Sequence, residues 1–399
     1  MSTSRLLAEL DDVGRDRRRG GYSRHVFDRG ERELREWFTE QAGRRGLQVE
    51  TDRNANLWAW WGEPGDDAVV TGSHLDSVPG GGAFDGPLGV VSALAAVESL
   101  RDSGFRPRRP LAVVAFAEEE GGRFGVPCLG SRLLSGGISR DAACALRDPD
   151  GTTFAEVMRA AGHDPERAGR DDAALRRIGR LVELHVEQGK GLIDLHRPVA
   201  VADSILAHGR WRFRFRGEGN HAGATPIGDR RDPMIPAART VLAARREAAA
   251  REQARATVGR VEATPGGTNV IASAVDLWLD ARAPLHPAAR ALVDEIARHA
   301  HEHAHDEGCT VEITEESYGD TVHFDPGLRD ELRAQLDDAP VLPTGAGHDA
   351  GVLAAHAPTA MLFVRNPTGV SHAPEEHAEP DDCAAGTSAL ADVLRRWTA

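Results

Sequence analysis

Residues 68–120 read AVVTGSHLDSVPGGGAFDGPLGVVSALAAVESLRDSGFRPRRPLAVVAFAEEE, and this stretch decides the fold. Ala68–Ser73 and Leu111–Ala117 are short and almost wholly apolar, which predicts strands buried on both faces. Between them Pro87–Leu100 reads as a helix. Strand, helix, strand is the repeating unit of an α/β fold with a mostly parallel sheet and helices on both faces. In such sheets reactive groups collect beyond the carboxyl ends of the strands. His74 follows the first of these strands and Glu118–Glu120 the second, so both are expected at that edge.

Working outward, Glu31–Gly43 has the spacing of an amphipathic helix, Asn56–Trp61 reads as a strand, and Arg180–Val186 as a further strand carrying His185. From about Ile205 the pattern changes. Arg210–Arg216 (RWRFRFR) alternates apolar and charged residues, as a half-exposed antiparallel strand does. A helix at Pro233–Arg251, strands at Ala256–Ala263 and Thr268–Arg282, a helix at Pro287–His305 and a strand at Cys309–Thr314 complete a β-α-β-β-α-β order. The expectation is an α+β domain, residues 205–318, inserted into an α/β domain made of 1–204 and 319–399. The chain then returns to α/β character, with a strand at Ala360–Val364 and a closing helix at Pro380–Trp397.

The 399 residues carry a net charge of −14, which argues against nucleic acid or an anionic membrane as partner. Arginine supplies nearly all the positive charge, Lys190 being the only lysine. No apolar run approaches the ~18 residues of a membrane span, and the N-terminal stretch has no signal-peptide pattern. The four cysteines are far apart with no CxxC spacing, which predicts free thiols in a reducing cytoplasm.

Five residues of metal-ligand type stand in separate motifs: His74 in SHLDSV, Asp85 in GGAFDGPLGV, Glu120 in AEEEGGRFG, His185 in ELHVEQG and His372 in GVSHAPEE. Each motif alone reads equally well as an ordinary loop or turn. Together they mix carboxylate and imidazole, and one carboxylate bridging two ions would let five residues hold two divalent metals with positions left for water and substrate. That arrangement serves hydrolysis. Asp76 suits the role of acceptor for the second N–H of His74. Asp85 lies among glycines that let backbone pass close to an ion. The adjacent glutamates can divide the labour, with Glu120 on metal, Glu119 taking a proton from water, and Glu118 solvent-facing or structural. Gln188 could hydrogen-bond substrate and Glu187 could support the ligand sphere. Mixed sites of this kind accept Zn, Mn, Co or Ni.

The motifs HLDSV, GGAFDGPLGV, EEEGGRFG, ELHVEQG, NHAGATP, TNVI, LDAR, GAGHDA and GVSHAP span nearly the whole chain. In their order and content the chain resembles the M20 metallopeptidase clan, in the branch holding N-carbamoyl-L-amino-acid hydrolases, β-ureidopropionases and allantoate amidohydrolases. The resemblance implies one metal on His74, Asp85 and His185, and another on Asp85, Glu120 and His372. It implies that the inserted domain is a lid and dimerisation domain of a homodimer. His221 would then reach across the dimer to stabilise an oxyanion, so that the active site is completed in trans. Asn269 and Arg282 match positions that hold the substrate carboxylate, a task suited to a guanidinium fork. His208, where many members carry glutamine, would lie near the substrate with Ala224. Lys190 and Ile193 also depart from the branch's usual residues. The tracts HGRWRF, DRRDPM and FVRNPTGVSH are similar to allantoate amidohydrolase-like members.

The implied reaction is hydrolysis of a linear C–N bond in a ureido (N-carbamoyl) carboxylate, allantoate or an N-carbamoyl-L-amino acid, by a cytoplasmic enzyme. One alternative is an aminoacylase or dipeptidase on the same scaffold, against which stand EQG and NHAG. Another is a non-catalytic carboxylate-binding relative, against which stands the retention of all five ligands and Glu119. Two motifs are set aside. His301–His305 (HEHAH) matches a zinc-protease pattern only formally, at the end of an Ala/His/Glu-rich helix. Gly345–Gly351 lacks the acidic residue a dinucleotide site requires, so His348 and Asp349 are expected to shape the active-site floor.

Overall fold

The structure, a computed structural model, describes residues 3–399; Met1 and Ser2, at the head of the stretch read for a targeting signal, lie outside the described residues. The chain divides into two units, Met1–Ser204 with His323–Ala399, and Ile205–Val322.

The first unit is built on a nine-stranded sheet. Its centre is four parallel strands in the order Leu111–Phe116, Ala68–His74, Ile178–Val186 and Thr359–Val364. Leu57–Trp61 joins one side and Val199–Ile205 the other, both antiparallel. The sheet is thus parallel where it is most buried. Every residue of Ala68–His74, Leu111–Phe116 and Thr359–Val364 is buried, because helices lie on both faces. Pro87–Asp102 and Pro380–Thr398 pack on one, where a Cβ at Gly89 would meet the Leu184 carbonyl at 2.3 Å and one at Gly386 would meet Val364 Cγ2 at 2.4 Å. The residue before Leu184, Glu183, points to the opposite face. There its carboxylate accepts the Ala350 N–H at 3.0 Å from the short helix Asp349–Leu353.

Register sets the position of the site. His74 pairs with Phe116 and His185 with Phe363, so the carboxyl ends of the strands lie together. Gly72 makes this possible. Its φ is +149°, and a Cβ there would come 1.9 Å from the Val114 carbonyl, so only glycine lets the two strands approach just before His74.

The second unit has a four-stranded antiparallel sheet in the order Thr310–Gly319, Ala207–Arg216, Ala274–Ala283 and Arg255–Thr264. One face buries Trp211, Phe213, Phe215, Leu277 and Leu279 against Ala237, Ala244, Leu292, Ile296 and Ala300 of the helices Met234–Ala249 and His286–Asp306. The other face carries the arginines of RWRFRFR, with Arg214 forked onto Asp276 at 2.8 and 3.0 Å. The run Thr268–Arg282, expected as one strand, is two: Val270–Ile271 pairs with Asn220–His221, and Ala274–Ala283 joins the sheet. The break falls at Ser273, whose carbonyl accepts from Gly217 and whose N–H donates to Thr264.

Candidate metal centre

His74, Asp85 and His185 are buried, and their ligand atoms lie within 4.8 Å of one another. So do those of Asp85, Glu120 and His372. Asp85 belongs to both groups. Its Oδ1 lies 3.2 Å from His185 Nε2 and 3.5 Å from His74 Nε2. Its Oδ2 lies 3.5 Å from His372 Nε2, which is 3.3 Å from Glu120 Oε2.

The tautomers follow from the main chain. His74 Nδ1 donates to the Asp76 carbonyl at 3.1 Å, and His185 Nδ1 to the Val186 carbonyl at 2.9 Å. With the proton on Nδ1, each neutral ring presents a bare Nε2 lone pair to Asp85. Both Nε2 atoms are buried without a hydrogen-bond partner, a costly state unless a cation takes them. Ligand atoms around an ion with bonds of about 2.1 Å are spaced by roughly 3.0–3.4 Å, close to the separations found here. The residues fit a metal.

The charge balance agrees. Burial pushes the Glu119 carboxyl well above its usual range; His74 opposes this, while Asp349, Glu120 and Asp76 add to it. Burial and Asp85 do the same to Glu120. For Asp85 burial works upward, but positive charge on the His185 and His74 rings outweighs it and holds the carboxyl well below its ordinary value, a charge that bound cations would supply with the rings neutral. So many buried acids need protons or metal ions to neutralise them.

Each ligand loop is held from outside. Both oxygens of Asp76 accept main-chain N–H groups, from Glu119 at 3.1 Å and Glu120 at 3.0 Å. Asp76 thus stands beside His74 Nδ1 with its carbonyl at 3.1 Å and its carboxylate Oδ1 at 3.5 Å, and the same carboxylate fixes the glutamate pair. Gly86, with φ +84°, lies under His74, and a Cβ there would be 2.4 Å from Cε1 of that ring. His372 has φ +59° and a half-exposed side chain. Gln188 Nε2 donates to Asp85 Oδ2 at 2.9 Å and to Ser371 Oγ at 3.2 Å. Glu187 caps the turn that follows it, accepting from Gly191 and Leu192. Lys190, on that turn, lays its aliphatic stem over Gly369, in the loop that leads to His372.

One expectation is narrowed. Glu118 is not solvent-facing; it is buried, and its Oε1 accepts the N–H groups of Arg123 and Phe124 at 2.9 and 2.8 Å. Burial raises its pKa to about 8. His348 and Asp349 are buried beside the ligands, with the His348 ring 4.6 Å from that of His185.

Two contributors escaped the sequence reading. Glu376 accepts the N–H groups of Phe84 and Asp85 at 3.0 and 2.9 Å, clamping the shared ligand from 291 residues away. It stood inside the quoted GVSHAPEE without an assigned task. Cys128, read only as a free thiol, donates to Glu119 Oε1 at 3.4 Å, and no motif marked it.

His208, His221, Asn269 and Arg282 belong to the second unit. His221 Nδ1 accepts from the N–H groups of Gly223 and Ala224 at 3.0 and 3.1 Å. The ring proton is therefore on Nε2, which makes that atom a donor. The Asn269 carbonyl accepts from Ala222, which ties the two motifs together. Arg282 pairs across the strands with His208 and is held side-on by Asp280 at 2.8 and 3.0 Å. A third group of ligand type, Glu247, Glu295 and His299, is already neutralised by Arg246, Arg251 and Arg298. Within HEHAH, His301, Glu302 and His305 are exposed, and Glu302 pairs with Arg298.

The model of peptidase family M20/M25/M40 matches residues 70–396, and the chain belongs to that metal-dependent family. Within it, the chain is 36% identical over 395 residues to the N-carbamoyl-L-amino acid amidohydrolase of Geobacillus stearothermophilus, covering 96% of this chain and 95% of the relative. It is 30% identical over 397 residues to the allantoate amidohydrolase of Escherichia coli, with 94% and 92% covered. A hydantoinase/carbamoylase family amidase from Burkholderia multivorans superimposes with a TM-score of 0.88 at 29% identity, over 100% of this chain and 98% of that one. Among the described residues no helix is long and apolar enough to cross a membrane.

Proposed function

We propose that this chain is a binuclear-metal amidohydrolase that cleaves the linear C–N bond of a ureido (N-carbamoyl) carboxylate, either an N-carbamoyl-L-amino acid or allantoate. The observation that carries the reading is the pair of ligand groups sharing Asp85, with Glu119 Oε2 3.6 Å from His74 Nε2. One divalent ion would be held by His74, Asp85 and His185, the other by Asp85, Glu120 and His372. When bound, such ions polarise a carbonyl and acidify water.

Glu119 takes the proton of the attacking water and returns it to the leaving nitrogen, one group serving as base and then acid. His221, reaching across the proposed dimer, donates from Nε2 to the developing oxyanion. Arg282, oriented by Asp280, and Asn269 recognise the substrate carboxylate, while Gln188 and His208 contact the rest of the substrate. An N-carbamoyl amino acid would yield the amino acid, carbon dioxide and ammonia.

The second unit serves as lid and as the contact of a homodimer. Support comes from the apolar side chains it exposes, Ile227 at 79%, Leu242 at 70% and Val261 at 50%. Light scattering should give twice the chain mass, and a monomer at micromolar concentration would remove the dimer from the proposal. The four unpaired cysteines favour a cytoplasmic setting.

The test is ammonia release by protein reloaded with Mn, Zn, Co or Ni, on allantoate, N-carbamoyl-L-amino acids and 3-ureidopropionate, beside N-acetyl amino acids and dipeptides. Turnover of one ureido substrate, abolished by chelation and restored by one metal, is the expected result. Turnover of acetylated amino acids or dipeptides alone would move the chain to aminoacylase or peptidase chemistry.

A further inference from the structure

We infer that Cys128 is a positioning residue for hydrolysis: its thiol holds one carboxylate oxygen of Glu119 and so keeps the other turned toward the metal ligands. The inference rests on Glu119 as the proton carrier proposed above.

Glu119 is buried among acids. Glu120 is its chain neighbour, Asp76 binds its main-chain N–H, and Asp349 is close enough to act on it electrostatically. Repulsion from these groups would swing a free carboxylate away from the site where it must take a proton. Among the described residues, the hydrogen-bond donor to this carboxylate is the Cys128 thiol, 3.4 Å from Oε1. The other oxygen, Oε2, faces His74 Nε2. The two oxygens therefore have separate tasks: one is tethered and one serves the reaction. A thiol is a weak donor, but between buried groups a weak bond suffices to choose between two orientations of a carboxylate.

The backbone places the thiol. Cys128, Leu129 and Gly130 donate in turn to the carbonyls of Glu119, Glu118 and Ala117 at 2.6, 3.0 and 2.9 Å, so the two segments run side by side. The close approach depends on Gly130, where a Cβ would come 2.2 Å from Asn56 Oδ1. That same Oδ1 accepts the Ala117 N–H at 3.0 Å. Cys128 itself has φ +55°, a conformation costly for a residue with a side chain. Cys128 has 2% of its surface exposed, and its thiol has Glu119 as its hydrogen-bond partner.

The experiment compares Cys128→Ala, Cys128→Ser, Glu119→Gln and the double variant Cys128→Ala/Glu119→Gln with the metal-loaded parent, reading kcat, KM and metal content. Loss of an orienting bond predicts that Cys128→Ala lowers kcat by about tenfold with KM and metal content unchanged. Serine restores a donor, so Cys128→Ser should keep most of the parent kcat. Because the thiol acts through Glu119, adding Cys128→Ala to Glu119→Gln should cost nothing further. Parent-like kcat in Cys128→Ala beside an inactive Glu119→Gln would overturn the inference and leave the role of Glu119 standing. Equal loss in the serine and alanine variants would assign Cys128 to packing and overturn it too. An active Glu119→Gln would remove the proton carrier and the inference together. Should Cys128→Ala fold poorly, the serine variant decides alone: a kcat depressed tenfold or more overturns the inference.

Discussion

Glutamine in place of Glu119 should leave the metal content of the protein unchanged and lower kcat by about 10³-fold. The substitution keeps size and shape and removes the ability to accept a proton. Nothing in the fold requires the charge: among the described residues the carboxylate receives one hydrogen bond, from a thiol, and its main-chain N–H is held by Asp76 independently of the side chain. Relieving the repulsion with Glu120 and Asp349 should make the variant no less stable than the parent. The combination expected is thus a folded, metal-replete protein with almost no turnover. The measurement pairs elemental analysis with steady-state kinetics, and near-parent kcat with full metal content would rule out Glu119 as the base.

Alanine at Asp85 should do more damage by a different route. Both ligand groups use this carboxylate, one through each oxygen, so its removal weakens two sites at once. It also leaves the buried Nε2 of His185 with neither cation nor Asp85 beside it, and that of His74 with Glu119 alone, at 3.6 Å. Activity should fall to background, a loss on the order of 10⁴-fold, and metal content should drop below that of the parent. The clearest signature is thermal. A metal added at ~100 times its dissociation constant stabilises a protein by about 2.7 kcal/mol, so the parent should melt higher with Mn or Zn. The variant should lose most of that shift. A metal-induced shift equal to the parent's would show that Asp85 does not ligate.

The parts of the fold that could be read from sequence are those in which one physical term dominates. Leu111–Phe116 and Thr359–Val364 are apolar because helices cover both their faces, and that composition is visible without partners. Arg210–Arg216 displays its alternation because only one face of its sheet is buried. The segment 129–177 was not read, because its helices, such as Leu129–Ser135, Arg140–Ala145 and Phe154–Ala160, have barely two turns, too few for a 3.6-residue period. Val199–Ile205 follows the one-turn helix Gly191–Asp194 and passes after a single residue into Ala207–Arg216, so no turn residues mark its end.

The candidate site divides in the same way. Ligand-type residues are recognisable only as a set: each motif alone reads as a loop, but five imidazoles and carboxylates together suit a pair of metal ions. The groups that hold them are not, since a glutamate clamping Phe84 and Asp85 or a cysteine touching Glu119 acquires meaning only from what folding brings beside it. His372 and Cys128 both sit at positive φ, and neither residue type announces that in a sequence.

The single lysine has a practical consequence. Lys190 is exposed, and its stem rests on Gly369, three residues before His372. Aside from the terminal α-amino group, an amine-reactive dye has one place to attach. A fluorophore there would sit beside the loop bearing His372, and its anisotropy would follow that loop as ions and substrates come and go.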